Sequence, residues 1–274
     1  MSGTVAFTKM SGAGNDFVVL DGGVWAALPG DRAAWVRGVC RRGLSVGADG
    51  VLVVAARSPG RVRVDFYNPD GGAAFCGNGS RCAARYAVLR DLARGPAMIL
   101  ETAAGDVPAT LEGAGVSLML PPPEDRGEIV LTVGNASYRG RLILAGVPHF
   151  ILPVTGLASY PLLSVAPALR SHALLGRSGA NINCVERDTA GRWHVRTFER
   201  GVEGETLACG SGAVAVGMAA RQDGAPETVI VVPRSGLLLK VTIEGDRRQP
   251  RGARLAGDAR VVFEGVLEAE GIPS

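Results

Sequence analysis

Lysine is almost missing from this chain. Of its 29 basic residues, only Lys9 and Lys240 are lysine, and arginine supplies nearly all the positive charge. Neither lysine sits in an obvious pyridoxal phosphate context. There is no uninterrupted apolar run of membrane-spanning length. Leu142 to Leu169 carries no Asp, Glu, Lys or Arg, but Pro148, Pro153, Pro161 and Pro167 would break a spanning helix repeatedly. The opening MSGTVAFTKM lacks a basic stretch followed by an apolar core, which argues against a signal peptide. No GxxxxGK[ST] loop is present, no CxxC, and the three histidines are scattered, so phosphate-loop and zinc readings fall away and no metal is expected. The net charge of +3 is too mild to point to nucleic acid, and RRQPRGAR (247–254) reads as a solvated turn without interleaved aromatics. Five cysteines, an odd number, suggest free thiols in a reducing cytoplasm.

What is present is a strand-rich pattern in two halves. VAFTKM, DFVVL, VLVVAA and the cleanly alternating RVRVDFY read as strands, with a helix capped by Asp31 and ended by Gly43 between the second and third. A cysteine-led helix over roughly 77–92 follows, and AMILETAAG, VPATLEG and VSLMLPPP close the half. PPPEDRG (121–127) reads as the linker. The second half runs through EIVLTV, SYRGRLILAG and HFILPV, a helical segment near 164–175, then INCVE and WHVRTFE. A second cysteine-led helix covers roughly 210–222, and TVIVVP, LLLKVTI and ARVVFEGVLE finish the chain. The expected division is 1–122, joined by the last strand at about 261–274, and 123–260.

The halves read as a diverged duplication. DFYNPDGGAAFCGNGSRCAARYA lies over TFERGVEGETLACGSGAVAVGMAA, each giving strand, loop, Cys-Gly-x-Gly and helix. Cysteine is a poor helix N-cap compared with Ser, Thr, Asp or Asn. The positive end of a helix does favour thiolate over thiol, however. One thiolate and one thiol on opposite sides of a carbon form a base and an acid, which suits inversion of a stereocentre. Backbone N–H groups at Gly77, Asn78, Gly210 and Ser211 could hold a carboxylate that gains charge when the α-proton leaves. Cys40, Cys82 and Cys184 read instead as buried packing residues.

With both motifs placed, the chain resembles the diaminopimelate epimerase family. The resemblance runs from FTKMSGAGNDFVVLD through NPDGGAAFCGNGSRC, GVPHF, ANINCVE and FERGVEGETLACGSG. It implies an α/β (α+β) fold of two pseudo-symmetric domains. Each would be a curled, mostly antiparallel sheet around a central helix, with the active site in the cleft. It also implies conversion of L,L- to meso-diaminopimelate without a cofactor, on the route to lysine and peptidoglycan precursors. Cys76 and Cys209 match the base–acid pair. Asn15, Asn68 and Asn181 match substrate contacts, Glu199 and Arg200 match the family's Glu-Arg pair, and His149 matches the histidine that supports the thiols. Taken singly, Asn15 reads as a turn residue, His149 as a core histidine and Glu199 as the solvated partner of Arg200. A small-molecule substrate and a cytoplasmic homodimer complete what the resemblance implies.

Three departures accompany it. Val147 stands where the pattern has asparagine, ERGVEGET is one residue longer than its shorter version, and Gly50 stands where some members have glutamine. None touches the cysteines. The rival readings are a proline or hydroxyproline racemase-like enzyme, with no need for Arg200 and Asn181, and a non-catalytic amino-acid-binding protein.

Overall fold

The computed structural model describes residues 4–272 and divides them into two compact units, one running up to Leu118 and resuming at Gly257, the other spanning Met119–Ala256. The first unit holds β1 (Val5–Gly12), β2 (Asn15–Asp21), α1 (Gly22–Ala27), α2 (Arg32–Val39), β3 (Gly50–Ser58), β4 (Arg61–Tyr67) and the two-residue β5 (Ala73–Ala74). After these come α3 (Gly77–Leu89), β6 (Ala97–Thr102), β7 (Gly105–Glu112) and β8 (Gly115–Leu120). The second unit holds β9 (Glu124–Val133), β10 (Ala136–Ala145), β11 (Val147–Pro153), α4 (Leu162–Arg170), β12 (Asn181–Arg187), β13 (Trp193–Glu199) and β14 (Gly204–Thr206). It continues with α5 (Gly210–Gln222), β15 (Thr228–Val232), β16 (Leu239–Gly245) and β17 (Pro250–Asp258). The final strand, β18 (Arg260–Leu267), returns to pair antiparallel with β1, setting Phe7 opposite Gly265.

Strand pairing makes the duplication explicit. In the first unit β1–β2 is antiparallel, β2–β3 parallel, β3–β4 antiparallel and β4–β6 parallel, followed by antiparallel β6–β7 and β7–β8. The second unit repeats that series through β10–β11, β11–β12, β12–β13, β13–β15, β15–β16 and β16–β17. Even the short strands correspond, β5 pairing with β4 as β14 pairs with β13. Each sheet curls around one helix. α3 packs on β1, β2, β3, β4, β6 and β7, and α5 on β10 to β13, β15 and β16.

The composition of these helices explains how a sheet can wrap them. A helix contacted all round must be apolar all round and narrow. α5 buries Ala213, Val214, Ala215, Val216, Gly217, Met218, Ala219 and Ala220 in succession. At Gly217 an added Cβ would stand 2.5 Å from Val241 Cγ1, so β16 approaches too closely for any side chain there. α3 is similarly packed through Cys82, Ala83, Ala84 and Ala87.

Three local readings differ from the structure. Glu124 already begins β9, because the three prolines end before it and the following residues alternate, so only the front of PPPEDRG is a connection. Within RRQPRGAR the turn is confined to its first residues. Pro250 starts a strand that buries Gly252, Ala253 and Leu255 against β16. The helix capped by Asp31 stops at Val39 rather than running to Gly43. Asp31 itself caps as expected, accepting from Ala33 N at 2.9 Å.

Candidate active site

Cys76 and Cys209 are the N-caps of α3 and α5. Both have extended backbones, with φ of −138° and −121°, so each side chain turns back over the first helical turn. Each Sγ accepts the N–H three residues on, from Gly79 and Gly212, at 3.4 Å in both cases. A cysteine thus occupies the place an oxygen usually fills, and sulfur receives the helix's unpaired donors and positive dipole end. The glycines allow this. A Cβ on Gly212 would lie 3.4 Å from Cys209 Sγ and 2.7 Å from Asn183 Oδ1, and one on Gly79 would lie 3.0 Å from a Leu52 methyl. Cys40, Cys82 and Cys184 are buried free thiols, and burial pushes the Cys82 and Cys184 thiols up to about 12. They pack and do not react.

In the first unit Asn15, at the start of β2, meets Asn78 on the first turn of α3, whose Nδ2 donates to Asn15 Oδ1 at 2.6 Å. Behind Asn78 lies the fully buried Arg81, which donates through Nη2 to Asn78 Oδ1 at 2.9 Å and through Nε to the Asp258 carbonyl at 3.3 Å. Asn15 Nδ2 donates onward to Asp49 Oδ2 at 3.0 Å. Asp49 also pairs with Arg42, which bridges to Asp16, and Asp16 pairs with the buried Lys9. Burial opposes the charge on Asp16, but hydrogen bonds from Arg42 and Lys9 outweigh it and hold its carboxyl below the usual range. Asn68 closes the turn after β4, its N–H bonded to the Gly72 carbonyl at 2.9 Å and its carbonyl to the Gly71 N–H at 2.9 Å.

In the second unit His149, on β11, is fully buried. Its Nε2 is 3.1 Å from Ser211 Oγ, and Ser211 Oγ is 3.4 Å from Cys209 Sγ. On its other side Asn183 Nδ2 stands 3.1 Å from His149 Nδ1. Thr197, opposite Asn183 on β13, binds Asn183 Oδ1 at 3.0 Å. A threonine hydroxyl donating to that oxygen turns the amide NH2 toward the imidazole. Nδ1 is then the acceptor and Nε2 carries the hydrogen, which it donates to Ser211. Burial pushes the imidazole down to about 3, and the nearby Arg200 charge pushes the same way. His149 therefore stays neutral and works as a hydrogen-bond donor. Asn181, parallel-paired with His149, accepts the Arg200 N–H at 2.8 Å, and Glu199 accepts a short hydrogen bond from Thr206.

Asn183, Thr197, Arg81 and Asp49 were not singled out by the sequence reading. Asn183 carried one usable signal, lying two residues beyond Asn181 in a strand and so on the same face. Arg81 carried another, three positions past Asn78 on one helix face.

The fold is one shared by solved proline racemase-like epimerases and PhzF-family proteins. A solved hydroxyproline epimerase from Agrobacterium vitis superposes with a TM-score of 0.72 over 97% of this chain and 93% of its own, at 18% identity. The chain belongs to the diaminopimelate epimerase family, whose sequence pattern matches residues 7–124 and 141–262. A diaminopimelate epimerase of Hydrogenobaculum sp. (strain Y04AAS1) is 37% identical over 96% of this chain and 98% of its own length. That of Gemmatimonas aurantiaca is 35% identical over 96% and 99%.

Proposed function

We infer that this chain is an isomerase that epimerises L,L-diaminopimelate to the meso isomer, a step in lysine biosynthesis. Membership of the family supports the substrate. The observation that carries the chemistry is the pair of helix N-caps, both cysteine, on equivalent helices of two equivalent units. One thiolate takes the α-proton and the other thiol returns a proton to the opposite face, so the stereocentre inverts. The proton removed and the proton delivered differ, and the two sulfurs exchange protonation states in each turnover.

The supporting groups follow from the local geometry. N–H groups at Gly77, Asn78, Gly210 and Ser211 begin the two central helices and suit a carboxylate gaining charge in the transition state. Proton removal stabilised in this way needs no organic electron sink. Ser211, fed by the neutral His149, donates toward Cys209 and favours its thiolate. Asn15, Asn68 and Asn181 contact the amino-acid groups, Arg200 takes the distal carboxylate, and Glu199 supports the proton transfers. We propose further that the enzyme works in the cytoplasm as a homodimer.

The test is reaction of L,L-diaminopimelate in deuterated water with wild type, Cys76→Ala and Cys209→Ala. Wild type inverts one centre with deuterium incorporated there, and each variant loses epimerisation by about a thousandfold or more while its circular dichroism is unchanged. Near-wild-type turnover in either variant would sink the two-thiol mechanism.

A further inference from the structure

The hairpin between β1 and β2 turns on a residue that its conformation does not favour. Gly12 pairs with Asn15, so the turn consists of Ala13 and Gly14 alone. Both have positive φ, 55° and 104°. A two-residue turn of this kind needs the left-handed region at both places, and Asn-Gly or Gly-Gly meets that need at little cost. Ala13 has a Cβ and no polar side chain to bond locally. Its conformation is therefore strained, and lasts only where the surroundings impose it.

Those surroundings are specific. Ala13 N donates to Asp258 Oδ1 at 2.8 Å, a bond that spans 245 positions of sequence. Asp258 is itself fixed from α3. Its carbonyl accepts Arg81 Nε at 3.3 Å, and the next carbonyl, of Ala259, accepts from Arg85 Nη1. Its other carboxylate oxygen, Oδ2, pairs with Arg260 Nε at 2.7 Å. Ala13 is wholly buried. The preceding Gly12 lies so near α3 that a Cβ there would stand 2.9 Å from the Asn78 carbonyl oxygen and 3.1 Å from Cys82 Sγ. The turn cannot move toward α3, and any shift at Ala13 passes to Asn15, where β2 begins.

We propose that Asp258 is a positioning residue: by holding the Ala13 N–H it keeps the strained turn in place and so puts Asn15 where it meets substrate. This rests on the reading above that Asn15 touches substrate, and it adds the group that fixes the Asn15 backbone. Without that bond Ala13 relaxes toward negative φ, the hairpin loses its register at this end, and Asn15 moves.

The variants that separate this role from a general contribution to stability are Asp258→Ala, Asp258→Asn, Ala13→Gly, and Asp258→Ala combined with Ala13→Gly. Asp258→Asn keeps an oxygen for the Ala13 N–H. Glycine adopts positive φ freely, so Ala13→Gly removes the strain that the bond opposes. For L,L-diaminopimelate, kcat/KM should fall about tenfold or more in Asp258→Ala and stay within about threefold of wild type in Asp258→Asn and in Ala13→Gly. In the double variant it should recover to within about threefold. In substrate-free, ¹⁵N-labelled protein, the Asn15 side-chain NH2 signals should move in Asp258→Ala and return in the double variant. An equal loss with and without Ala13→Gly would overturn the proposal, because Asp258 would then act by another route. A lower Tm with unchanged kcat/KM and unmoved Asn15 signals in Asp258→Ala would overturn it too, leaving only a structural role. Should Asp258→Ala not fold, the double variant decides: it folds if the bond's task is to hold Ala13, and its failure to fold overturns the proposal. If wild type does not turn over diaminopimelate, the functional reading fails, and the Asn15 signals decide the role of Asp258 on their own.

Discussion

His149 makes the stability of this protein fall on mild acidification, by an amount that follows from its surroundings. The imidazole is fully buried, hydrogen-bonded at both nitrogens and pushed down to about 3 by burial and by the Arg200 charge. In the unfolded chain it titrates near 6.5. The folded value is the lower one, so the unfolded chain takes up the proton first as pH falls. The stabilisation is whole above about pH 6.5 and drains away as pH drops toward 3. At pH 5 the loss relative to pH 7 is about 2 kcal/mol, and it barely changes for any folded value below about 4. The carboxylates held low in this structure, Asp16, Glu186, Glu203 and Glu205, act in the same direction but mainly below pH 5. The assay is urea unfolding of wild type and His149→Gln at pH 7 and pH 5. Glutamine keeps a donor toward Ser211 and does not titrate. Wild type should lose about 2 kcal/mol more than the variant between the two pH values. Parallel losses would refute the assignment of a buried neutral imidazole.

Two further substitutions test neighbouring parts of the argument. Ser211→Ala removes the hydroxyl between His149 and Cys209, so kcat/KM should fall about tenfold or more, and the unpaired imidazole N–H should lower stability by about 1–3 kcal/mol; wild-type kinetics would show that the hydroxyl does not serve the thiol. Gly217→Ala would ordinarily stabilise a helix by up to about 1 kcal/mol, but its Cβ would meet Val241 Cγ1 at 2.5 Å, so urea melts should show a net loss of about 1–3 kcal/mol rather than a gain.

The two central helices were legible in the sequence because their starts are chemically unusual. A cysteine framed by glycines has no ordinary capping advantage, and its recurrence marked both the duplication and the groups proposed to react. Strands were legible where alternation was clean, as in RVRVDFY, and also where runs were wholly apolar. The turn RRQPRGAR misled because its charges dominate the pattern. In the structure Gly252 and Ala253 are buried and Arg254 reaches out to Glu244 at 2.9 Å, a division that short residues between arginines conceal. Short strands such as β5 and β14 leave too few residues for any period to register.

Motif reading singled out Asn15, Asn78 and His149, and did not single out the residues bonded behind them. Arg81 reaches Asn78 three residues back on the same helix. Asn183, Thr197 and Asp49 bear on which way an amide or an imidazole faces, through partners 14 to 34 residues away in the chain, as Thr197 to Asn183 and Asn15 to Asp49 show. Such pairs become neighbours only through strand register: Asn183 stands opposite Thr197, and His149 opposite Asn181. The two units also solve the problem differently. Behind Cys209 a neutral histidine feeds a serine, whereas the fifth residue after Cys76 is a buried arginine and the fifth after Cys209 is Val214. The two helices thus differ at equivalent positions, with a buried arginine in the first where the second has a valine. Equivalent backbones therefore do not make equivalent thiols, and a substrate whose two epimers must each be met by the correct protonation state gives that asymmetry a use.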